Sequence, residues 1–546
     1  MNIEGVIKLS ESIWKGREAI AATMDELAQY IAPDRQGFVT KPSAGEEGRE
    51  AIFDSTAEDA ASTLAAALGS LLTNPATEWF CLGLPGDEPE GTTADWLVQT
   101  TRLMLADFVS PETHFQEETA SLYMDLAVFG WGVFLTEYKD GAGLRFRTIP
   151  PSQCAIAENA EGKVDTVVRR YSQTAGQLAE EFGAENVSEK VQKALEKSPH
   201  DTFEVTHIVM PRAKLPKSIA DIAPEHKAGM AASKDDALPG EEENKGKAKK
   251  PLHPFVSLYF ETKAKHLLHV GGYFELPYAV PRWSKRSGEV YGRGPGHAAL
   301  PSIRILNKVS ESQLVVAEKQ AMPALLVPDD SVIGKINTGA NGITYYRPSG
   351  SDITTLPAPG DLSTMQAIRE EHKNAIRSHF LNDRIQLAGG PQMTATEVVT
   401  RERKQYMVLG PASWRLQTEL NGTVVERSIS LKARAGVLAP PPEELRNREI
   451  QVRYVSPISR SQRQGEAESF AAAMAYITPL LQASPQALDN FNADEIVRDS
   501  QEVFGYPQSY LRDEKEVQAI RKQRAEAQQA AAAAQAAQGA ANSFAP

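Results

Sequence analysis

Three basic side chains, Arg369, Lys373 and Arg377, follow one another at intervals of four residues, the spacing that stacks side chains in a stripe along one side of an α-helix. Arg384 extends the positive end, and Ile368, Ile376 and Phe380 fall on a neighbouring face able to pack. Such a stripe attracts anions. In one copy, with Glu370 and Glu371 alongside, it reads first as a solvated helix face. Repeated around a pore, each cation would become a ring of cations facing one object, a polyanion such as DNA. A second basic group, Arg401, Arg403 and Lys404, is balanced by Glu397 and Glu402 and reads as a charged exposed helix as readily as a binding patch.

Other chemistries find no footing. Gly292-Arg293-Gly294-Pro295-Gly296 looks like a phosphate-cradling loop ahead of a helix. It departs from the dinucleotide pattern, because His297 stands where a third glycine should fall and Pro295 removes an N–H that a phosphate would need. Gly162-Lys163-Val164 and Gly334-Lys335-Ile336 lack the Ser or Thr that follows the lysine of a nucleotide-binding loop, so nucleotide hydrolysis is not expected. Of ten histidines, His266 with His269 and His372 with His379 are pairs close in sequence. Their spacings can put both rings near one helix face, but no carboxylate or cysteine cluster completes a metal pattern. There is no Gly-x-Ser-x-Gly elbow. Cys81 and Cys154 are too few for a disulfide framework or a cysteine zinc site; inert core thiols in a reducing cytoplasm are expected. The expectation is a protein with no catalytic residue, no metal and no cofactor.

The elements that must position the basic stripe belong to a long chain. At about 150 residues per domain, 546 residues allow three or four domains. Lys and Arg total 58 against 71 Asp and Glu, a net charge of −13, which argues against clinging to nucleic acid by overall electrostatics and leaves only local contact. Residues 1–14 carry Glu4 and Glu11 and lack a secretory apolar block, so no export is expected. The longest purely apolar stretch, 126–135, has ten residues, half of the roughly 20 needed to span a bilayer, so no membrane insertion is expected.

Periodicity predicts a mainly α chain with β insertions. Helices are expected over 7–31, stopped by Pro33; from Asp54-Ser55-Thr56 along a small-residue face of Ala57, Ala60, Ala61, Leu64 and Leu68; and over 94–108 and 115–128. Alternation predicts antiparallel strands at 132–138, 144–149, 164–171, 205–211 and 255–260, interrupted at 213–253 by a charged insertion read as mobile. A helix over 297–322 tolerates Pro301 in its first turn. A Gly/Asn turn and a strand at 343–346 then precede the stripe helix, 361–381. Gly389, Gly390 and Pro391 mark a loop at 387–393. Helices at 394–409, 412–435, 461–481 and 493–503, a strand at 450–455 and an exposed Gln/Ala-rich helix from 511 complete the reading.

The succession of segments resembles the head-to-tail connecting (portal) proteins of short-tailed, T7-like bacteriophages. Its carriers are Tyr30-Ile31-Ala32-Pro33-Asp34, Phe53-Asp54-Ser55-Thr56-Ala57, Thr77-Glu78-Trp79-Phe80, Tyr291-Gly292-Arg293-Gly294-Pro295-Gly296 with Ile305-Leu306-Asn307 downstream, and Met393-Thr394-Ala395-Thr396-Glu397-Val398 with Arg401. The resemblance implies a homo-oligomeric ring, of about twelve subunits, at one capsid vertex of the virion, assembled in the host cytoplasm. Double-stranded DNA would pass through it during packaging and ejection. Terminase, and later a tail adaptor protein, would dock on it, with capsid and scaffolding proteins around it. The family layout implies a wing over 1–296, stem helices at 297–322 and 361–384, a clip at 323–360, a tunnel loop and returning wing helices at 385–460, a crown at 461–510 and a tail at 511–546. Arg369, Lys373, Arg377 and Arg384 would face the DNA, with Gly389, Gly390 and Pro391 near the tunnel constriction. The alternatives are a virion adaptor or scaffold that forms no channel, and a globular virion hydrolase, for which no site is readable.

Overall fold

The computed structural model describes residues 3–39, 45, 48–85, 91–139, 141–215, 253–328, 337, 339–346, 354–355, 362–385, 412–445, 448, 450–454, 470–478, 491–504, 511–512 and 514–542. The helices are α1 (Glu4–Ile31), α2 (Thr56–Leu72), α3 (Gly91–Val109), α4 (Phe115–Phe129), α5 (Ala175–Phe182), α6 (Glu189–Lys197), α7 (Pro295–Ala321), α8 (Leu362–His379), α9 (Asn382–Ile385), α10 (Thr423–Arg434), α11 (Ala493–Phe504) and α12 (Glu514–Asn542). The strands are β1 (Phe80–Gly83), β2 (Val133–Lys139), β3 (Gly143–Ile149), β4 (Cys154–Glu158), β5 (Val164–Thr174), β6 (Thr202–Pro211), β7 (Phe255–Glu261), β8 (Leu267–Tyr273), β9 (Tyr278–Ala279), β10 (Leu325–Pro328), β11 (Ile343–Tyr346), β12 (Thr354–Thr355) and β13 (Gln451–Tyr454). The mixture of helix and sheet is the expected one. Two compact units result, residues 1–77 with 102–440 and residues 78–101 with 441–546.

In the larger unit a five-stranded antiparallel sheet, β4-β5-β6-β7-β8, is covered on both faces. Ile3, just before α1, and Val6 and Ile7 of α1 pack on Ala155, Val168, Ile208, Leu258 and Phe260. On the opposite face Leu178 of α5 and Val191 of α6 meet Val205 and Leu268. Burial of such apolar faces, at about 25 cal/mol per Å², is what holds these layers together. β4, α5 and α6 escape the sequence reading because each is short, although Thr174 and Gln177 form the reciprocal capping box that starts α5; β8 escapes it because Leu267-Leu268 and Gly271-Gly272 break the alternation. Arg17, only 4% exposed, ties α1 to this sheet by donating to the carbonyls of Cys154, Ser152 and Phe38.

The far end of α1, through Met24, Leu27 and Ile31, is buried where α1 meets α2 and α4. The alanine face of α2 lets α4 approach closely, with the Tyr123 ring 3.7 Å from where a Cβ on Gly69 would stand and its hydroxyl 3.0 Å from Thr73 Oγ1. α7 opens at Pro295, two residues earlier than expected, so Pro301 lies inside the helix rather than in its first turn. Proline has no N–H to give the His297 carbonyl one turn back. α7 and α8 run antiparallel, since Gln313 meets Arg369 while Asn307, earlier in α7, reaches the loop held by Lys373 further along α8. Between them, β10 pairs in parallel with β11 and antiparallel with β12. Leu381 takes a left-handed φ of 62°, which ends the stripe helix.

In the smaller unit β1 pairs with β13, Phe80 opposite Tyr454, joining segments far apart in the chain. Thr101 Oγ1 accepts from the Leu82 N–H, and Thr93 Oγ1 donates to Glu444 at 2.7 Å. α11 and α12 are joined by Arg521 and Asp494, 2.6 Å apart. The expected insertion 213–253 enters through a short turn at Arg212–Lys214; residues 216–252 lie outside the described residues, as do 389–391 and the segment holding Arg401, Arg403 and Lys404.

Candidate functional site

The basic stripe is held from one side by the loop that precedes α2. Asp54 Oδ2 lies 3.2 Å from Lys373 Nζ and 3.4 Å from Arg369 Nη2. Asp54 Oδ1 accepts from the Thr56 N–H at 3.0 Å and from the Thr56 hydroxyl, so the side chain that starts α2 also anchors α8. Ser55 occupies the N-cap position with no side-chain cap bond. Burial raises the Asp54 carboxyl, but the hydrogen bonds from Thr56 and Lys373 outweigh it and hold the group below the usual carboxylate range. It is therefore charged at neutral pH.

Arg369 also donates to Gln313 Oε1 at 2.7 Å, which bridges α8 to α7. The Asp54 side chain is 6% exposed, Arg369 28% and Lys373 19%, so two of the three stripe cations are engaged inside the subunit. Arg377 is exposed, as are Glu370 and Glu371. Ile376 and Phe380 are buried, as the packing face predicts. Arg384 lies in α9, its side chain outside the described residues. The same loop is fastened to α7, where Asn307 Oδ1 accepts from the Phe53 N–H at 2.8 Å and Asn307 Nδ2 donates to the Ala51 carbonyl at 2.7 Å. Two distant sequence carriers, Phe53-Asp54 and Asn307, thus form one joint.

The glycine run before α7 serves packing. A Cβ on Gly292 would lie 2.2 Å from the Gly130 carbonyl oxygen, one on Gly294 2.7 Å from Gly130 Cα, and one on Gly296 2.4 Å from the Val128 carbonyl oxygen. The end of α4 therefore crosses the start of α7 backbone to backbone, closer than any side chain allows. The Trp283 N–H donates to the Gly130 carbonyl at 2.8 Å beside this crossing.

Arg282, 2% exposed, is the hub of a second joint that sequence reasoning missed. Its guanidinium donates to Glu419 Oε1 at 2.6 Å, to Glu158 and to the Gly162 carbonyl, and Lys285 Nζ meets Glu158 at 2.6 Å. Burial lowers the affinity of Arg282 for its proton, and the bonds from Glu419 and Glu158 more than restore it. Glu419 sits in a π-helical stretch, Gln417–Gly422, that runs into α10. The wider π turn leaves the expected 412–435 helix continuous.

Across the five strands, Cys154, Arg169, His207, Tyr259 and His269 stand in one register row. His207 is stacked on Tyr259 at 3.9 Å, with Nδ1 2.8 Å from Tyr278 Oη and Nε2 2.9 Å from Ser257 Oγ; burial holds it neutral. His269 belongs to β8 and His266 to the turn before it, so this pair lies on no helix. Among the described residues no three His, Cys, Asp or Glu side chains gather to hold a metal ion, and no helix is long and apolar enough to cross a membrane.

Two long braced helices, interrupted by a small sheet and backed by a layered α/β body, define a mixed helix-and-sheet protein. The chain belongs to the family described as bacteriophage head to tail connecting protein, matched over residues 4–227 and 237–511. It is similar to the probable portal protein of Bordetella phage BPP-1, 28% identical over 527 residues that cover 94% of this chain and 89% of the relative. It is also similar to the portal protein of Salmonella phage epsilon15, 25% identical over 551 residues, covering 98% and 94%. Similar solved chains come from the virion of a native gene transfer agent particle, with a TM-score of 0.34, 12% identity and coverage of 77% of this chain and 86% of that one. Another is from the neck of an empty particle of that kind, with a TM-score of 0.35, 10% identity and coverage of 75% and 84%. The chain is thus a portal-type head-tail connector, a component of the phage virion at the capsid vertex.

Proposed function

We propose that copies of this chain close into a ring of about twelve subunits around a channel through which double-stranded DNA is packaged and later ejected, in a phage of the short-tailed kind. The observation that carries this reading is the head to tail family match over almost the whole length. Ile305, Leu314 and Val315, exposed along α7, favour it as well, because apolar side chains on a long helix gain by being covered in an assembly. In this reading 297–322 and 361–384 are the stem, and 323–360, with β10 to β12, is the clip that meets terminase and then the tail adaptor. Residues 1–296 and 385–460 form the wing among capsid and scaffolding proteins, 461–510 the crown and 511–546 a tail.

The ring has no catalytic part; the motor is the separate terminase. Arg377 and Arg384 present positive charge to the DNA, and Gly389, Gly390 and Pro391 lie near the constriction. An acidic protein with few cations at the channel suits a passage in which DNA must slide, since each added phosphate contact strengthens binding steeply. Reversing Arg377 to Glu tests the assignment. Fewer DNA-filled heads are expected while rings still assemble, and an unchanged yield of filled heads overturns it.

A further inference from the structure

We propose that Asp54 is a positioning residue that withdraws Arg369 and Lys373 from the DNA path, so that the stripe presents fewer cations to the channel than its sequence contains. The inference rests on the channel reading of α8 given above.

The geometry supplies the reason. One carboxylate oxygen of Asp54 is shared by both cations, at 3.2 and 3.4 Å, while the other is taken by the Thr56 backbone and hydroxyl. The Asp54 side chain is almost fully enclosed, so its attraction for the two cations is screened by solvent less than that of a surface carboxylate. Gln313 takes a further donor of Arg369 from the α7 side. The carboxylate also cancels charge at the turn of α8 next to exposed Arg377. In a ring the effect is multiplied by the number of subunits, and the attraction of a channel for DNA rises steeply with the number of phosphates neutralised.

Asp54→Asn is the informative change. An asparagine oxygen can still accept from Thr56, whereas its NH2 group would face Arg369 and Lys373 donor to donor and release them. The experiment uses assembled full-length rings and a linear DNA duplex, with affinity measured by fluorescence anisotropy across a salt series. For Asp54→Asn the dependence of log affinity on log salt should steepen by about 0.9 for each additional phosphate neutralised. For Arg369→Gln with Lys373→Gln, in which Asp54 is kept, the slope should stay that of the unaltered ring; a shallower slope would mean that these two side chains touch DNA themselves, which overturns the proposal. Arg377→Gln separates the two ideas. A shallower slope for Arg377→Gln with no change for Asp54→Asn rejects the clamp and leaves the channel reading standing. No change for either variant rejects the channel reading of α8. Should Asp54→Asn rings fail to assemble, the double variant still decides.

Discussion

Gly130 and Gly294 touch through their backbones: a Cβ on Gly130 would stand 2.0 Å from the Gly294 nitrogen. The loop leaving α4 and the loop entering α7 are thereby locked at a spacing that only glycine permits. α7 is carried on this crossing, so its direction depends on it.

Gly294→Ala should therefore destabilise the fold by about 1–3 kcal/mol or more, the usual cost of forcing atoms into a filled site. Gly16, inside α1 with nothing within 4 Å of its absent Cβ, makes the contrast. Gly16→Ala should stabilise by about 0.5–1 kcal/mol through helix propensity. Urea unfolding of both variants checks the pair, and equal shifts of one sign would contradict the crossing.

Removing Arg282 should be far worse than removing a surface cation. Arg282→Met takes from Glu158 and Glu419 the guanidinium they share, and breaking a buried pair costs about 3–5 kcal/mol. Arg304, half exposed beside Glu26, should be dispensable, with a melting temperature close to the unaltered protein after Arg304→Ala. Thermal melts of the two variants decide.

Asp125 gives the fold a pH signature. Its carboxyl is fully buried, and burial pushes it up to about 6 even though Arg35 pairs with one oxygen. Its other oxygen has no hydrogen-bond partner among the described residues. Between the unfolded value of 3.8 and about 6 the folded state binds more protons than the unfolded state, so this group's contribution to stability falls as pH rises through that window. The loss reaches about 3 kcal/mol at most. Asp125→Asn should remove that component, so the difference in unfolding free energy between variant and unaltered protein should move in the variant's favour from pH 4 to pH 7. A difference that does not vary with pH would contradict it.

Thiol labelling should discriminate the two cysteines. Cys154 is fully enclosed and burial pushes its thiol up to about 12, so it should react only after unfolding, while half-buried Cys81 is the more accessible of the two. Mass spectrometry after brief native alkylation reads this directly.

How much of this was legible depended on range. Periodicity located α1, α2, α4, α7 and α8 within a few residues, because long amphipathic helices carry their own signal. The pairing of Phe80 with Tyr454 carries none, since neither four-residue strand shows enough alternation to announce its partner. Spacing put Arg369, Lys373 and Arg377 on one stripe, but it could not show that a carboxylate 315 residues away from Arg369 would claim two of them. The Gly292 to Gly296 run invited a phosphate-loop reading because glycine signals close approach without saying to what; here the object approached is the chain's own Gly130. Arg282 escaped because a buried arginine looks, in sequence, like any surface one.

The central claim, that this chain builds a ring with a channel, is tested most directly by negative-stain electron microscopy of the purified full-length protein. Rings with a central hole wide enough for a DNA duplex are the predicted result. A population of compact monomers, or closed particles without a hole at every concentration tried, would contradict it.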